Sequence, residues 1–119
     1  MEKHFKKESL SEGKIILEYG GILQEDLGKK VHDLILTAGY KMIEGSAGNA
    51  VYEKGSMALR IIFGAFVKHF KFAVIVSPIE GGDMRLEIAK KTSGAAGGLV
   101  GMKQVKNEFE RLSKLLQTI

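Results

Sequence analysis

The sequence predicts an α+β domain of β-α-β4(5)-α order, in which a curved antiparallel sheet carries two helices on one of its faces. Three features support this fold class: a strand-like segment followed by an amphipathic helix, then four or five strand-like segments in succession, then a second amphipathic helix. Because strands and helices do not alternate, the sheet is expected to be antiparallel. Both helices are expected on the face that carries Phe70, Phe72, Val74 and Val76, since every element then buries its one apolar side.

Residues 1–13 are predicted to be a flexible N-terminal tail, and residues 14–119 to form a single α+β domain. The first ten residues mix lysines, a histidine and acids without an apolar period, which is typical of a solvated chain end. The first strand is predicted at Lys14–Tyr19, an apolar and β-branched run that ends at Gly20 and Gly21. The fold is therefore expected to begin at residue 14.

The first helix is predicted over residues 22–38, where apolar residues recur at steps of three and four. Glu25 and Asp26 lie in its first turn, where acidic side chains interact favourably with the helix dipole. Gly39 follows the last periodic residue and is expected to end the helix in a left-handed conformation. Gly28 lies inside the helix at a cost of about 1 kcal/mol relative to alanine, which indicates a close packing neighbour.

The middle of the sequence predicts a hairpin and a further apolar segment. Residues 40–44 and 49–54 are expected to pair around a glycine-rich turn. Residues 57–67 fit either a buried strand or a short buried helix, and their β-branched and aromatic residues favour a strand bent near Gly64. This apolar run is about half as long as a segment that crosses a bilayer, so no transmembrane segment is expected.

The remaining elements are two strands and a helix. Residues 70–76 alternate strictly between the two faces of a strand, and after a turn at 80–83 residues 84–89 alternate as a half-buried strand. Residues 93–101 are small and uncharged, and both a loop and a helix remain open for them. The terminal helix is predicted from an apolar stripe made of Val105, Phe109, Leu112, Leu116 and Ile119.

This order of elements, over residues 14–119, resembles the strand-helix-four-strand-helix arrangement of TATA-binding-protein-like and helix-grip folds, in which a curved sheet wraps a long C-terminal helix. The resemblance is one of topology and implies no functional residue. DNA binding by the first fold uses two such repeats, whereas this sequence contains one. Ligand binding by the second fold implies a cavity under the long helix.

The leading hypothesis is a non-enzymatic binding module for an apolar small molecule or a protein partner, with self-association included. The sequence is slightly rich in apolar residues for its size, which leaves material for a ligand pocket beneath the last helix or for an exposed patch. In a core, methionine usually just fills gaps between other side chains. The candidate apolar ligand site comprises Met57, Leu59, Ile62, Phe66, Met84 and Met102.

The alternative hypothesis is a module that recognises phosphate, in nucleic acid or in anionic lipid. If the glycine-rich segment is a loop, its amides point at a helix N-terminus with lysines nearby, which suits an anion. The spacing matches neither a P-loop nor a dinucleotide-binding fingerprint. Tight packing or a hinge is the favoured explanation of the glycines, ahead of partner or self-association and of anion binding. The residues proposed for this site are Gly97, Gly98, Gly101, Lys103 and Lys106, with Lys90 and Lys91 beside them.

A nucleic-acid surface with stacked aromatic rings is not favoured. Lys68, His69 and Lys71 are interleaved with Phe70 and Phe72, as such surfaces require. The strand alternation, however, places both rings on the face opposite Lys71, so the rings are expected in the core.

Catalytic and metal-binding patterns are not found. The sequence contains no cysteine, and His4, His32 and His69 lie on separate segments without the spacing of metal ligands. The serines lie in or beside turns, and the acidic residues on strands lack an obvious partner for general acid–base catalysis. The sequence therefore favours a non-enzymatic protein without a cofactor. The absence of cysteine and of an apolar leader predicts a cytoplasmic location.

Overall fold

The described part of the chain, residues 4–11, 13–54, 70–90 and 98–119 of a computed structural model, consists of six strands, two helices and their turns. In chain order the elements are β1 (Phe5–Ser11), β2 (Lys14–Tyr19), α1 (Gln24–Thr37), β3 (Lys41–Ser46), β4 (Asn49–Lys54), β5 (Phe70–Pro78), β6 (Met84–Lys90) and α2 (Gly98–Leu116). The strand predicted within residues 57–67 lies outside the described residues. Of the glycine-rich segment, residues 98–101 belong to the first turn of α2.

The strands form one open sheet in the order β1-β2-β6-β5-β4-β3, and every neighbouring pair is antiparallel. The predicted α+β class and antiparallel sheet are thus confirmed. β2 and β6 are neighbours although about 70 residues separate them in sequence, so this pairing encloses most of the chain. β1 and β3 are the two edges of the sheet.

Both helices pack on the same face of the sheet, as predicted. The ring of Phe72 on β5 lies 5.9 Å from that of Tyr40 and 4.9 Å from that of Phe109 on α2. At the other end of α2, the hydroxyl of Tyr19 donates a hydrogen bond to the carbonyl of Leu116. The buried core consists of Ile15, Leu17, Tyr19, Leu27, Val31, Ile35, Tyr40, Ala50, Tyr52, Phe72, Val74, Val76, Leu86, Ile88, Phe109, Leu112, Leu116 and Ile119. Each large apolar side chain in this set contributes roughly 1.5–3 kcal/mol through its burial.

The prediction of a flexible tail over residues 1–13 is wrong for Phe5–Ser11, which form the edge strand β1. The ring of Phe5 packs edge-on against Tyr19, and the amide of His4 donates to the carbonyl of Ile119. The strand was not recognisable because an edge strand with one solvated side favours charged residues, which remove the apolar alternation. Lys6 and Lys7 illustrate this, since both are exposed.

Two predictions about the glycines of α1 are confirmed. Gly39 has a φ of +99°, and its amide and that of Tyr40 donate to carbonyls of the last helical turn, which is the Schellman arrangement. A Cβ placed on Gly28 would lie 3.2 Å from the Cα of Gly48 in the β3–β4 turn. The interior glycine therefore lets the hairpin approach the helix backbone.

Candidate functional site

The predicted apolar ligand site is not assembled by the described residues. Met57, Leu59, Ile62 and Phe66 lie outside them, as does the side chain of Met102. Met84 begins β6 opposite Tyr19, whose hydroxyl reaches the C-terminal turn of α2. Met102 lies fourteen residues earlier in the same helix, about 21 Å along its axis. Met84 and Met102 therefore belong to opposite ends of the sheet and do not share one site.

The space beneath the C-terminal half of α2 is filled by protein side chains. The ring of Phe109 packs at a tilt against that of Phe72, and Leu112 and Leu116 are at most 1% exposed. These buried side chains belong to the core between the helix and the sheet. The ligand cavity that the helix-grip resemblance implies stays a prediction.

The predicted anion site is only partly described. Gly97 and Lys91, and the side chain of Lys103, lie outside the described residues. Gly98 and Gly101 are in the first turn of α2, and Lys106 is exposed on the same helix.

The face of the sheet opposite the helices, here named the outer face, carries apolar side chains at its centre. Ala89, Ala73 and Val51 are cross-strand partners in one row, and Ile16 and Ile75 flank Glu87 in the next row. Ile75 is 39% exposed. Neither α1 nor α2 packs on this face, because both helices lie on the other side of the sheet.

Three charges of the outer face, on β2 and β6, form ion pairs with one another. The Nζ atom of Lys14 lies 3.2 Å from Oε1 of Glu87, and the Nη2 atom of Arg85 donates to the same oxygen at 3.0 Å. Glu18 lies directly opposite Arg85 in the register of β2 and β6. The outer face thus combines exposed apolar side chains with an ion-paired cluster around Glu87, and protein–protein interfaces combine apolar and polar area in a similar way.

A buried polar cluster joins the C-terminus of α1 to α2. The hydroxyl of Tyr40 donates to Oε2 of Glu108, whose carboxylate also accepts two hydrogen bonds of 2.8 Å from Arg111. Lys54 and Arg111 both donate to the carbonyl of Ala38 at the end of α1. Glu108 is 7% exposed. The side chains of Tyr40, Lys54, Glu108 and Arg111 are here named the Glu108 cluster. Together they neutralise a buried carboxylate and cap the C-terminus of α1.

The protonation of the Glu108 cluster follows from these contacts. Burial raises the pKa of Glu108, but hydrogen bonds from Arg111 and Tyr40 more than offset it, so the pKa of the carboxyl lies below its ordinary value. Burial, followed by the hydrogen bond to Glu108, raises the pKa of the Tyr40 hydroxyl, which therefore stays a donor at neutral pH. The hydrogen bond to Glu108 also raises the pKa of Arg111.

The Glu108 cluster was missed in the sequence, although a signal for it exists. Position 108 lies three residues after Val105 and four before Leu112, so it falls on the apolar stripe of α2. A carboxylate at such a position must find buried partners, and these are distant in sequence. The hydrogen bonds that Tyr40 and Arg111 donate to Glu108, and that Lys54 and Arg111 donate to Ala38, assign the cluster a role in stability.

An open groove of about 410 Å³ lies beside the first half of α1. It is lined by His4, Gly21, Ile22, Leu23, Asp26, Lys29, Lys30 and Asp33. Two aspartates and two lysines line it, so the groove favours neither sign of charge. His32 does not contribute to it: its Nδ1 atom lies 2.7 Å from the hydroxyl of Tyr52, where it is half-buried.

Within the described residues no group of three or more histidine, cysteine or acidic side chains is placed to hold a metal ion. None of the helices there has the length and apolar character needed to span a membrane. Comparison of the chain with protein-family models, with curated proteins and with solved structures gave no match.

Proposed function

We propose that this chain is a non-enzymatic binding module that holds a protein partner on its outer face, and that this partner is a second copy of the chain. The observation that carries the proposal is the group of outward-facing apolar side chains on a sheet face on which neither helix packs. Ile75 on β5 is 39% exposed on this face. Outward-facing apolar residues near it include Ala73 on the same strand and Ile16 on β2, across Glu87 of β6. Solvated sheet faces usually carry polar side chains at such central positions.

The charge of the outer face supports a second copy as the partner. The chain carries a net charge of +4, so two copies repel each other over most approaches. On the outer face Lys14 and Arg85 are already paired with Glu87, which reduces that repulsion. A partner of strong charge, by contrast, gains little from the part of the surface where these three charges are already paired.

The area of the outer face sets the expected affinity of self-association. Six strands spaced about 4.8 Å apart, each about 20 Å long, give a flat area of roughly 500 Å². This is less than the approximately 800 Å² that each partner buries in a stable interface. We therefore expect a weak dimer, with dissociation in the micromolar range.

Replacing Ile75 with glutamate is expected to abolish self-association, because the substitution places an unpaired carboxylate at the centre of the interface. Sedimentation velocity over a wide range of protein concentrations measures the monomer–dimer equilibrium. Leu23→Glu provides the matched control, since Leu23 is more exposed, at 71%, and precedes α1 away from the outer face. Far-UV circular dichroism checks that both variants fold.

Two results contradict the proposal: a wild-type chain that stays monomeric at every concentration, or equal loss of dimer in both variants. Native mass spectrometry separates self-association from the other expected activity, because a bound apolar molecule adds a small mass and a second copy doubles it. The apolar ligand, the cytoplasmic location and the resemblance to TATA-binding-protein-like and helix-grip folds stay predictions from the sequence.

A further inference from the structure

β3 is an edge strand whose free side is exposed. Among the described residues it pairs with β4 alone, and all six of its residues are exposed. An edge strand directs alternate N–H and C=O groups away from its partner, where they can pair with a further strand. The other edge strand, β1, contacts the end of α2: the amide of His4 donates to the carbonyl of Ile119, and Gln117 donates to Glu8. Of the two edges, β3 is therefore exposed at every residue and β1 is not.

The side chains of Lys41 and Glu44 lie on one face of β3 although the two residues are three positions apart. In a regular strand this spacing places side chains on opposite faces. A register shift between Met42 and Glu44 adds one residue, so Lys41 lies opposite Glu53 and Glu44 lies opposite Val51, both on the outer face. Lys41 and Glu44 are exposed, and neither forms an ion pair with another described residue. The edge thus offers one positive and one negative side chain to a neighbouring strand.

Apolar side chains lie at the same edge, on the side of the helices. Met42 is 40% exposed although its cross-strand partner Tyr52 is buried, so the helix layer leaves this side of β3 uncovered. On α1, Gly28 lies against the β3–β4 turn and His32 contacts Tyr52, which places this stripe of the helix over the hairpin. Leu36 is the next position of the stripe and is 41% exposed. A strand added beside β3 would therefore bury apolar surface of both β3 and α1.

We propose that the β3 edge, defined as residues 41–44 together with Leu36 of α1, binds an extended peptide segment of a partner protein as an additional strand. Peptides add to exposed sheet edges through main-chain hydrogen bonds, while the pairing of side chains sets the specificity. The proposal goes beyond self-association, because an added strand extends the sheet sideways and leaves the apolar group around Ile75 free. Peptide binding and dimerisation can each fail alone.

A flexible peptide suits this edge better than β3 of a second copy. Ile43 has no cross-strand partner, and Gly45 has a φ of +86°, so β3 is bulged and its regular part is short. Natural edge strands use such bulges against pairing with another rigid edge. A segment without a fixed conformation, by contrast, can follow the bulged edge as it binds.

The charges of the edge specify the sequence of the peptide. Every pair in the sheet is antiparallel, and antiparallel pairing is slightly more stable than parallel pairing. On its other side the bulged stretch is met by three consecutive residues, Val51, Tyr52 and Glu53. A peptide in the same direction therefore carries a basic residue opposite Glu44, then an apolar residue beside Met42, then an acidic residue opposite Lys41.

The test is an NMR titration of the isotope-labelled full chain with two capped peptides, Ser-Val-Lys-Val-Glu-Val-Ser and its charge-reversed form Ser-Val-Glu-Val-Lys-Val-Ser. We expect the first peptide to shift the amide signals of β3 and Leu36, and to bind on the order of tenfold more tightly than the second. A variant carrying Lys41→Glu and Glu44→Lys reverses both charge pairs and is expected to prefer the second peptide by a similar factor. A merely structural role of the two residues would change both affinities alike.

The matched control carries Lys7→Glu on β1 and Glu110→Lys on α2, two exposed positions whose exchange also keeps the net charge. It is expected to keep the preference of the unaltered chain, and so is Ile75→Glu, which separates peptide binding from self-association. Three results overturn the proposal. They are the absence of shifts in β3 with either peptide, an unreversed preference in the exchanged variant, and an Ile75→Glu dimer that Lys41→Glu dissociates, since a second copy then occupies the edge.

Discussion

Replacing Gly45 with alanine is expected to lower the free energy of unfolding by about 3 kcal/mol or more. Gly45 has a φ of +86° within β3, where an L-residue is strained. A Cβ at this position would lie 2.2 Å from the carbonyl oxygen of Asn49 and 2.9 Å from the Cα of Ala50. These are backbone atoms of the paired strand, so relief requires the β3–β4 hairpin to shift.

Gly81→Ala is the control that separates the clash from the backbone strain. Gly81 has nearly the same φ, +82°, but no atom lies within 4 Å of a Cβ built there. Its substitution is expected to cost only about 1 kcal/mol. Urea unfolding of the two variants measures the difference. If Gly45→Ala and Gly81→Ala lower the free energy of unfolding equally, the hairpin accommodates the added Cβ, and the prediction of a clash with Asn49 is wrong.

Replacing Glu108 with glutamine is expected to lower the free energy of unfolding by about 2 kcal/mol at neutral pH. The amide cannot accept the paired hydrogen bonds from Arg111, and it leaves Tyr40 with a weaker acceptor. Arg111 is nearly half exposed and can turn its charge to solvent, which keeps the loss below that of a fully buried ion pair. Glu110→Gln, an exposed change on the same helix, is expected to have little effect.

The pH dependence of this difference has a defined sign. Because the pKa of Glu108 is lower in the folded protein than in the unfolded chain, the carboxylate contributes its stability above the unfolded value of about 4.5. That contribution is lost as the pH falls through the lower pKa of the folded state. The difference in unfolding free energy between wild type and Glu108→Gln should therefore shrink in acid, as followed by urea titrations at several pH values. A difference that does not change with pH contradicts the role assigned to the ionised form.

The main elements of the fold could be predicted because each has its own apolar period. The steps of three and four in α1 and the alternation in β5 reflect burial of one side, which is a local property of the sequence. The same reasoning failed at β1, whose charged residues hide its pairing with β2. The sequence also predicted that Gly28 has a close packing neighbour, since a glycine inside a helix is otherwise unfavourable. The identity of that neighbour, Gly48, could not be predicted from the sequence.

The candidate sites were less predictable than the elements. Met84 and Met102 were grouped by their chemistry, but the antiparallel course of β6 and α2 places them at opposite ends of the sheet. The outer face required knowledge of which strands are neighbours: Ala73, Ala89 and Val51 are scattered in sequence and meet only through pairing.

By itself the sequence determined the α+β class, the positions of most strands and both helices, and the side of each that is buried. These follow from residue spacing within one segment, because burial on one side imposes a period on that segment. The tertiary structure alone decided the strand order, the partners of Glu108 and the exposure of β3 as an edge strand. Such features depend on contacts between segments far apart in the chain, and no local pattern encodes which segments meet.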